Sequence, residues 1–470
     1  MDRLAAAELA ELAGARLLGD SAALVGPEVV IDSRQAAPGA LFVALPGEHV
    51  DGHDFASTAV EQGAAAVLVA RELSLPVPQL VVPDALAGLT ALATGLVQRA
   101  KAGGLKVVGI TGSSGKTSTK DLVAAVLGAA GPVVAPLGSF NNEVGVPLTA
   151  TGVTAGTRYL VSEMGARAVG DVAALCRITP PDVGVVINVG QAHLGEFGSV
   201  AAIARAKGEL VESLDAGGWA VLNAEDPHVA AMADRTTARI ALFGVAGEPA
   251  GGDLRVWAEQ VGADSRQRHH FVLVSGAGTA PVSLRAAGRH QIGNALAAAA
   301  TGLALGLELP AIAASLTAAE PASRWRMELT ERGDGLLVVN DAYNANPDSM
   351  AAALRALAGL RRPSGRLVAV LGDMLELGDA SESAHVAIGE LAGRLGVDRV
   401  IAVGGYAEAI ATGARRQGCA AEVAVDRQAA VVAASAVVSS TDVVLVKASR
   451  GLALESVAAQ LLAEGEKPWA

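Results

Sequence analysis

Two spacings of hydrophobic residues alternate along this chain. Short continuous apolar runs fall at 29–31, 41–44, 66–69 and 80–82, then at 107–110, 159–162, 183–189, 220–222 and 240–243, and again at 336–340, 366–371, 399–403 and 443–447. Between most of them the apolar positions recur every three or four residues, as in Leu122, Val123, Val126 and Leu127. The first spacing predicts strands buried on both faces, the second helices packed against them. Their alternation points to the α/β class, with mainly parallel sheets covered on both sides. Residues 253–285 read as additional strands, and the alanine-rich stretch 295–305 as a helix closing the middle of the chain.

Turn residues divide the pattern. Pro38-Gly39 and Pro46-Gly47 punctuate the first segment, Lys101-Ala102-Gly103-Gly104 reads as a linker, and a new set of strands and helices starts near Pro321. A chain of 470 residues is too long for one core. Three domains are expected, at 1–100, 101–318 and 319–470.

Composition narrows the class. Hydrophobic residues make up 51% and charged residues 18%, which describes a globular, core-rich protein. Alanine supplies much of the apolar share, so a mean hydropathy of +0.40 does not argue for a membrane. The longest apolar stretches, 81–97 and 295–319, are broken by Pro83 and Asp84 and by Glu308 and Pro310, so they read as core helices and no membrane insertion is expected. Met1-Asp2-Arg3-Leu4 opens an acidic amphipathic helix without the basic, then apolar, pattern of a secretory signal. Cys176 and Cys419 lie far apart without metal-ligand spacing, as expected of reduced thiols in a cytoplasmic protein. A net charge of −12 with no basic cluster argues against a nucleic-acid surface. A monomer is expected, with a mobile tail at 464–470.

One stretch carries explicit chemistry. In Thr111-Gly112-Ser113-Ser114-Gly115-Lys116-Thr117-Ser118, a strand runs into a glycine-rich turn and then a helix. Gly112 and Gly115 let backbone N–H groups turn inward around an anion, and the helix N-terminus adds its positive end. Lys116 can reach the β- and γ-phosphates of ATP, and the Thr117 hydroxyl can ligate Mg²⁺. The spacing departs from the usual phosphate loop, because Ile110 stands where the first glycine of that pattern would be.

Further polar residues sit where parallel sheets bind ligands, beyond the carboxyl ends of strands. Glu163 follows the run 159–162 and, with Thr117, makes a chemically sensible pair of oxygen ligands for Mg²⁺. Alone it reads equally as a solvated loop acid. His193, after the run 183–189, and Lys207, on a helix in a chain that prefers arginine, are each also explicable as surface residues. His290 and Asn294 would share a helix face, or form a capping turn. Arg324-Trp325-Arg326 and the amide-rich loop from Asn340-Asp341 to Ser349 suit recognition of a polar ligand.

Taken in order, these motifs resemble the Mur ligase family over nearly the whole chain, and within it most of all the type that adds D-Ala-D-Ala to UDP-MurNAc-tripeptide. The type-specific signals are Asn141-Asn142-Glu143-Val144-Gly145, the 341–350 loop and Leu371-Gly372-Asp373-Met374-Leu375-Glu376-Leu377-Gly378. Asp32-Ser33-Arg34 through Asp51-Gly52-His53-Asp54-Phe55 is similar to a UDP-binding domain of that family. The resemblance implies an N-terminal UDP-sugar-binding domain, a central ATPase domain with a parallel sheet and a phosphate loop, and a Rossmann-like C-terminal domain. It also implies ATP-dependent amide-bond formation through an acyl phosphate, in peptidoglycan precursor synthesis.

By the same resemblance Lys116, Lys207 and His193 are catalytic. Gly112, Ser113, Ser114, Gly115, Lys116, Thr117, Ser118, Asn294, Arg326 and Asp341 bind ATP. Thr117 and Glu163 hold one Mg²⁺, while His193 and a carbamylated Lys207 serve a second. Ser33, Arg34, Asn141 and Asn142 meet the nucleotide-sugar peptide, and Asn344, Asn346 and Ser349 face D-Ala-D-Ala. Ser139-Phe140, before Asn141, departs from the glycine-containing approach of many relatives. The competing readings are a ligase adding a single amino acid and a non-catalytic nucleotide-binding protein on the same fold. A folylpolyglutamate synthase would share the central domain, but the 32–55 pattern speaks against it.

Overall fold

The computed structural model describes residues 1–463 apart from 48, 137 and 193, and every structural count and absence refers to those residues. The expected mobility of 464–470 therefore lies outside the described residues.

The alternation of apolar runs and helical spacing becomes three principal sheets. At the N-terminus, strands Val29–Val30, Leu41–Val43, Ala66–Val69 and Gln79–Val81 run parallel, with Arg16–Leu18 added antiparallel at one edge. The largest sheet has nine strands. Lys106–Thr111 lies between Tyr159–Glu163 and Val183–Val186, all parallel. Val133–Val134 flanks Tyr159–Glu163 in parallel at one edge, Trp219–Asn223, Arg239–Gly244 and Leu254–Ala263 extend the sheet in parallel on the other side, and Arg268–Ser275 and Gly278–Ala287 complete it antiparallel. The third sheet has six strands. Leu337–Asn340, Val443–Lys447, Leu367–Gly372, Arg399–Val403 and Ala420–Ala424 are parallel, with Glu328–Glu331 antiparallel at the edge.

Parallel register explains where the chemistry gathers. Thr111 pairs with Val186, and Ile110 with Glu163, so three neighbouring strands end together beside the turn at Gly112. Polar residues that follow such strands converge on one edge of the sheet, while the strands stay apolar and buried.

Several elements differ from the pattern reading. Glu163 is the last residue of its strand, not a loop residue after it. The strand starting at Val183 ends at Val186, freeing 187–190 to turn across the phosphate loop. Ala420–Ala424 and Glu328–Glu331 are sheet edges with half-solvated, partly charged sequences, so they lack the continuous apolar run that marks the inner strands. The short strand Leu4–Ala5 precedes the first helix, Ala6–Ala13.

The linker at 101–104 is not a loose segment. Lys101 and Ala102 finish the helix Ala85–Ala102, and only Gly103 and Gly104 form the turn. Lys101 Nζ donates to Asp182 at 2.9 Å and to the Pro180 carbonyl at 2.8 Å. Asp182 also accepts from Lys106 and from the Val107 N–H, so the exit of this helix is fastened to the start of the phosphate-loop strand.

Candidate functional site

The phosphate loop adopts its expected geometry. Gly115 has φ +80°, a left-handed conformation that a side chain disfavours, and from it the helix Lys116–Gly128 begins. A Cβ at Gly115 would also lie 2.8 Å from Asn294 Oδ1. Asn188 braces the loop from the neighbouring strand end. Its Oδ1 accepts from the Ser113 and Ser114 N–H groups, both at 2.9 Å, and its amide donates to Ser114. Ser113 Oγ accepts from the Gly190 N–H at 2.8 Å. Sequence reasoning draws attention to this strand end through His193 but misses the bracing role of Asn188.

Lys116 Nζ donates to the Gly112 carbonyl at 2.7 Å. Burial pushes its pKa down, an effect opposed by Glu163 and reinforced by Arg326. Ser114, Thr117 and Ser118 line the same cleft, which measures about 970 Å³. Asn294 also borders it, but its amide is engaged within the fold: Oδ1 accepts from Thr119 Oγ1 at 3.1 Å and Nδ2 donates to Gln291 at 2.9 Å.

The C-terminal domain forms the opposite wall and touches the loop directly. Arg326 Nη2 donates to Thr117 Oγ1 at 2.9 Å, and its guanidinium lies 4.2 Å from the centre of the Tyr343 ring. Its Nε is buried without a hydrogen-bond partner. Asn346 Nδ2 donates to the Ser113 carbonyl at 3.2 Å, and Asp348 accepts from the Gln191 N–H at 3.4 Å. The Gly195 N–H also donates to the Glu376 carbonyl at 3.0 Å.

Asp341 stands at the end of Leu337–Asn340, with both carboxylate oxygens engaged. Oδ1 accepts from the Met327 N–H at 3.0 Å, and Oδ2 pairs with Lys447 Nζ at 2.7 Å. Lys447 is buried, also donates to the Asn344 carbonyl at 2.8 Å, and has its pKa lowered by burial against the pull of Asp341. Sequence reasoning missed it. The available signal was scarcity: the chain has seven lysines among 36 basic residues, and Lys120, Lys207 and Lys447 are all buried.

Glu163 is 1% exposed. Ser139 Oγ and Asn141 Nδ2 both donate to Oε1, at 2.9 and 2.8 Å, whereas Oε2 is buried with no partner. An orphaned carboxylate oxygen in the cleft that the phosphate loop and Thr117 also line is a hard-oxygen environment that fits Mg²⁺. No group of three or more His, Cys, Asp or Glu side chains with metal-site geometry occurs among the described residues.

Lys207 is 3% exposed on the helix Val200–Glu212. Its pKa lies well below the ordinary 10.5, first through burial and then through the charge of Lys116. An ammonium has no lone pair for a metal, so Lys207 can ligate only after losing its proton. His193 lies outside the described residues.

The remaining candidates separate into two groups. Asn141 and Asn142 border the cleft, with Asn142 Oδ1 accepting from the Gly145 N–H at 2.9 Å. Asn344, Asn346 and Ser349 also border it, but Asn346 and Ser349 form the capping box of the helix Pro347–Gly359, which occupies most of their polar atoms. Ser33 and Arg34 do not border the cleft. Ser33 is buried in the N-terminal domain, and the exposed Arg34 pairs with Asp32 at 2.8 Å.

Comparison with known proteins agrees with this architecture. Family models described as Mur ligase family catalytic domain, Mur ligase middle domain and Mur ligase glutamate ligase domain match residues 28–101, 110–302 and 325–450. The UDP-N-acetylmuramoyl-tripeptide–D-alanyl-D-alanine ligase of Mycobacterium tuberculosis is 46% identical over 99% of this chain and 98% of its own length. A crystal structure of MurF from Acinetobacter baumannii superposes with a TM-score of 0.87 at 31% identity, covering 98% of this chain and 99% of that one. The MurF ligase of Thermotoga maritima, solved in complex with ADP, gives a TM-score of 0.78 at 30% identity, covering 93% and 98%. With a phosphate loop braced by the neighbouring strands, a second wall supplied by the C-terminal domain, and this similarity along its whole length, the chain belongs to the Mur ligase family.

Proposed function

We propose that this chain joins D-Ala-D-Ala to the terminal carboxylate of UDP-MurNAc-tripeptide using ATP, as a cytoplasmic step of peptidoglycan precursor synthesis. The observation that carries the reading is the cleft itself. It places the phosphate loop against Arg326 and Asp341 of the C-terminal domain, in a chain similar over its full length to ligases named for that reaction. The segments 1–100, 101–318 and 319–470 then serve UDP-sugar binding, ATP binding and completion of the site. One chain supplies every wall of the cleft, so a monomer suffices.

A carboxylate is a poor electrophile, so its oxygen first attacks the γ-phosphorus of ATP and ADP leaves. The amine of the dipeptide then attacks the acyl phosphate, and the tetrahedral intermediate collapses to an amide and inorganic phosphate. In the first step two anions must approach, and Lys116 and Arg326 lower that repulsion. Thr117 and Glu163 would hold Mg²⁺, which supplies charge neutralisation on the phosphates when bound. Lys207, whose depressed pKa favours a neutral amine, is suited to take up CO₂ as a carbamate; in that form it and His193 could serve a second Mg²⁺. Contacts between the domains shield the acyl phosphate from water. Asn294, Asp341 and the phosphate-loop residues attend the nucleotide. Ser33, Arg34, Asn141 and Asn142 attend the nucleotide-sugar peptide, and Asn344, Asn346 and Ser349 shape the dipeptide side.

The test is a matrix of phosphate-release assays: UDP-MurNAc-dipeptide or UDP-MurNAc-tripeptide, crossed with D-Ala-D-Ala or single amino acids. Release is expected only with the tripeptide and D-Ala-D-Ala together. Efficient turnover of diaminopimelate or lysine in place of the dipeptide would refute the assignment in favour of a single-residue ligase.

A further inference from the structure

Lys120 belongs to no part of the site described so far, yet it is 2% exposed. It lies three residues beyond Thr117 on the helix Lys116–Gly128, so it shares a face with that hydroxyl. Its ammonium crosses to a different segment of chain and donates to the carbonyls of Pro136 at 2.8 Å and Gly138 at 3.3 Å. Asp121, the next residue, supplies its counter-charge at 2.6 Å. The other oxygen of Asp121 accepts from the N–H of Ser323 at 3.2 Å, three residues before Arg326.

The segment gripped by Lys120 is the one that orients Glu163. Immediately after Gly138 come Ser139 and Asn141, the two donors to Glu163 Oε1. Asn141 Nδ2 also donates to Ser139 Oγ at 2.9 Å, and the Asn141 carbonyl accepts from the Gly165 N–H at 2.7 Å. With Oε1 held twice, the carboxylate cannot rotate freely, and Oε2 is left buried and unpartnered. A buried carbonyl of Pro136 and a part-buried one of Gly138 share this one buried cation, and freeing them would leave the ammonium and the Pro136 oxygen desolvated and unpaired.

We propose that Lys120 is a positioning residue for the divalent cation: by holding Pro136 and Gly138 it fixes Ser139 and Asn141 so that Glu163 presents Oε2 beside Thr117. One helical turn thereby sets both oxygen ligands, Thr117 directly and Glu163 through Lys120, Ser139 and Asn141. The Asp121–Ser323 contact ties the same turn to the strand of chain that delivers Arg326. This inference rests on Glu163 being a Mg²⁺ ligand.

The test measures affinity for a non-hydrolysable ATP analogue by calorimetry, with and without Mg²⁺, on the full chain. Variants are Lys120→Met, Lys120→Arg, Ser139→Ala and Glu163→Gln. Losing a group that orients a metal ligand typically weakens metal affinity by roughly 10- to 100-fold. Lys120→Met is expected to lose most of the Mg²⁺-dependent gain in nucleotide affinity while keeping wild-type affinity without Mg²⁺. Lys120→Arg is expected to recover part of it. Ser139→Ala, which leaves the Lys120 anchor intact, is expected to show a smaller defect of the same kind, and it carries the test if Lys120→Met does not fold. An equal loss with and without Mg²⁺, or a wild-type Mg²⁺ response in Lys120→Met or in Ser139→Ala, overturns the proposal. If Glu163→Gln loses the response and Lys120→Met keeps it, the metal assignment stands and the role of Lys120 falls. A wild-type response in Glu163→Gln overturns both.

Discussion

Replacing Arg326 by alanine is the most informative single perturbation, because this side chain joins the C-terminal domain to the phosphate loop. The substitution removes a charged hydrogen bond to Thr117 Oγ1, of a kind that contributes about 1.5–3 kcal/mol. It also removes a stack on Tyr343 that adds about 0.5–2 kcal/mol. Against these, the buried Nε has no partner, a cost of about 1–3 kcal/mol that the wild type carries until an oxygen of the nucleotide satisfies it. The resting contacts and the unmet Nε offset one another, so the variant is expected to fold with near-wild-type stability. On the proposed function, a bound phosphate would satisfy the Nε as well. The loss then amounts to roughly 3 kcal/mol, or about 100-fold in kcat/KM for ATP. The assay is phosphate release with ATP varied at saturating concentrations of the other two substrates, alongside chemical denaturation. A lysine side chain keeps the charge but loses the flat stack and the forked donors, so Arg326→Lys is expected to lie nearer to alanine than to the wild type. A change in kcat/KM of less than threefold for Arg326→Ala would refute the argument that this residue completes the site.

Four other outcomes follow from the same geometry. Glu163→Gln keeps an acceptor for Ser139 and Asn141 but removes the charge, so turnover is expected to fall at least about 100-fold and to respond weakly to added Mg²⁺; a normal Mg²⁺ titration of activity would contradict it. Lys207→Ala is expected to lose activity and to recover part of it with added acetate or formate, whereas full activity without additive would exclude the carbamate. In CO₂-free buffer, the folded-state pKa of Lys207 lies below its unfolded value of 10.5, so between the two the unfolded chain binds the extra proton. Stability is then expected to rise with pH through that window and to lose that slope in Lys207→Met, as followed by urea denaturation across pH. Gly115→Ala forces a side chain into the left-handed region, at a cost of about 1–2 kcal/mol, and drives its Cβ against Asn294. Reduced stability and weaker nucleotide binding are expected, and wild-type values for both would show that the turn is not held as described.

The sequence alone determined what depends on contiguous residues. Apolar runs and helical spacing were enough to indicate α/β sheets, because burial on both faces demands an unbroken hydrophobic strand. The phosphate loop was legible because its glycines, Lys116 and Thr117 lie within a few residues and act through local backbone geometry. The edge strands Glu328–Glu331 and Ala420–Ala424 escaped notice, since one solvated side relaxes that demand. Tertiary structure decided everything that depends on which distant segments pack together. Arg326 meets Thr117 across 209 positions, Asn346 meets Ser113 across 233, and Lys447 meets Asp341 across 106. No periodicity encodes such pairs. They arise because parallel strands end at the same edge of each sheet and the C-terminal domain sets its own edge against that of the central one. Packing also decided how far each polar atom was already committed. Asn346 and Ser349 cap a helix, and Glu163 offers one oxygen because Ser139 and Asn141 hold the other. A sequence names the groups capable of such chemistry, but the unmet hydrogen-bonding capacity left after folding determines which of them can face a ligand.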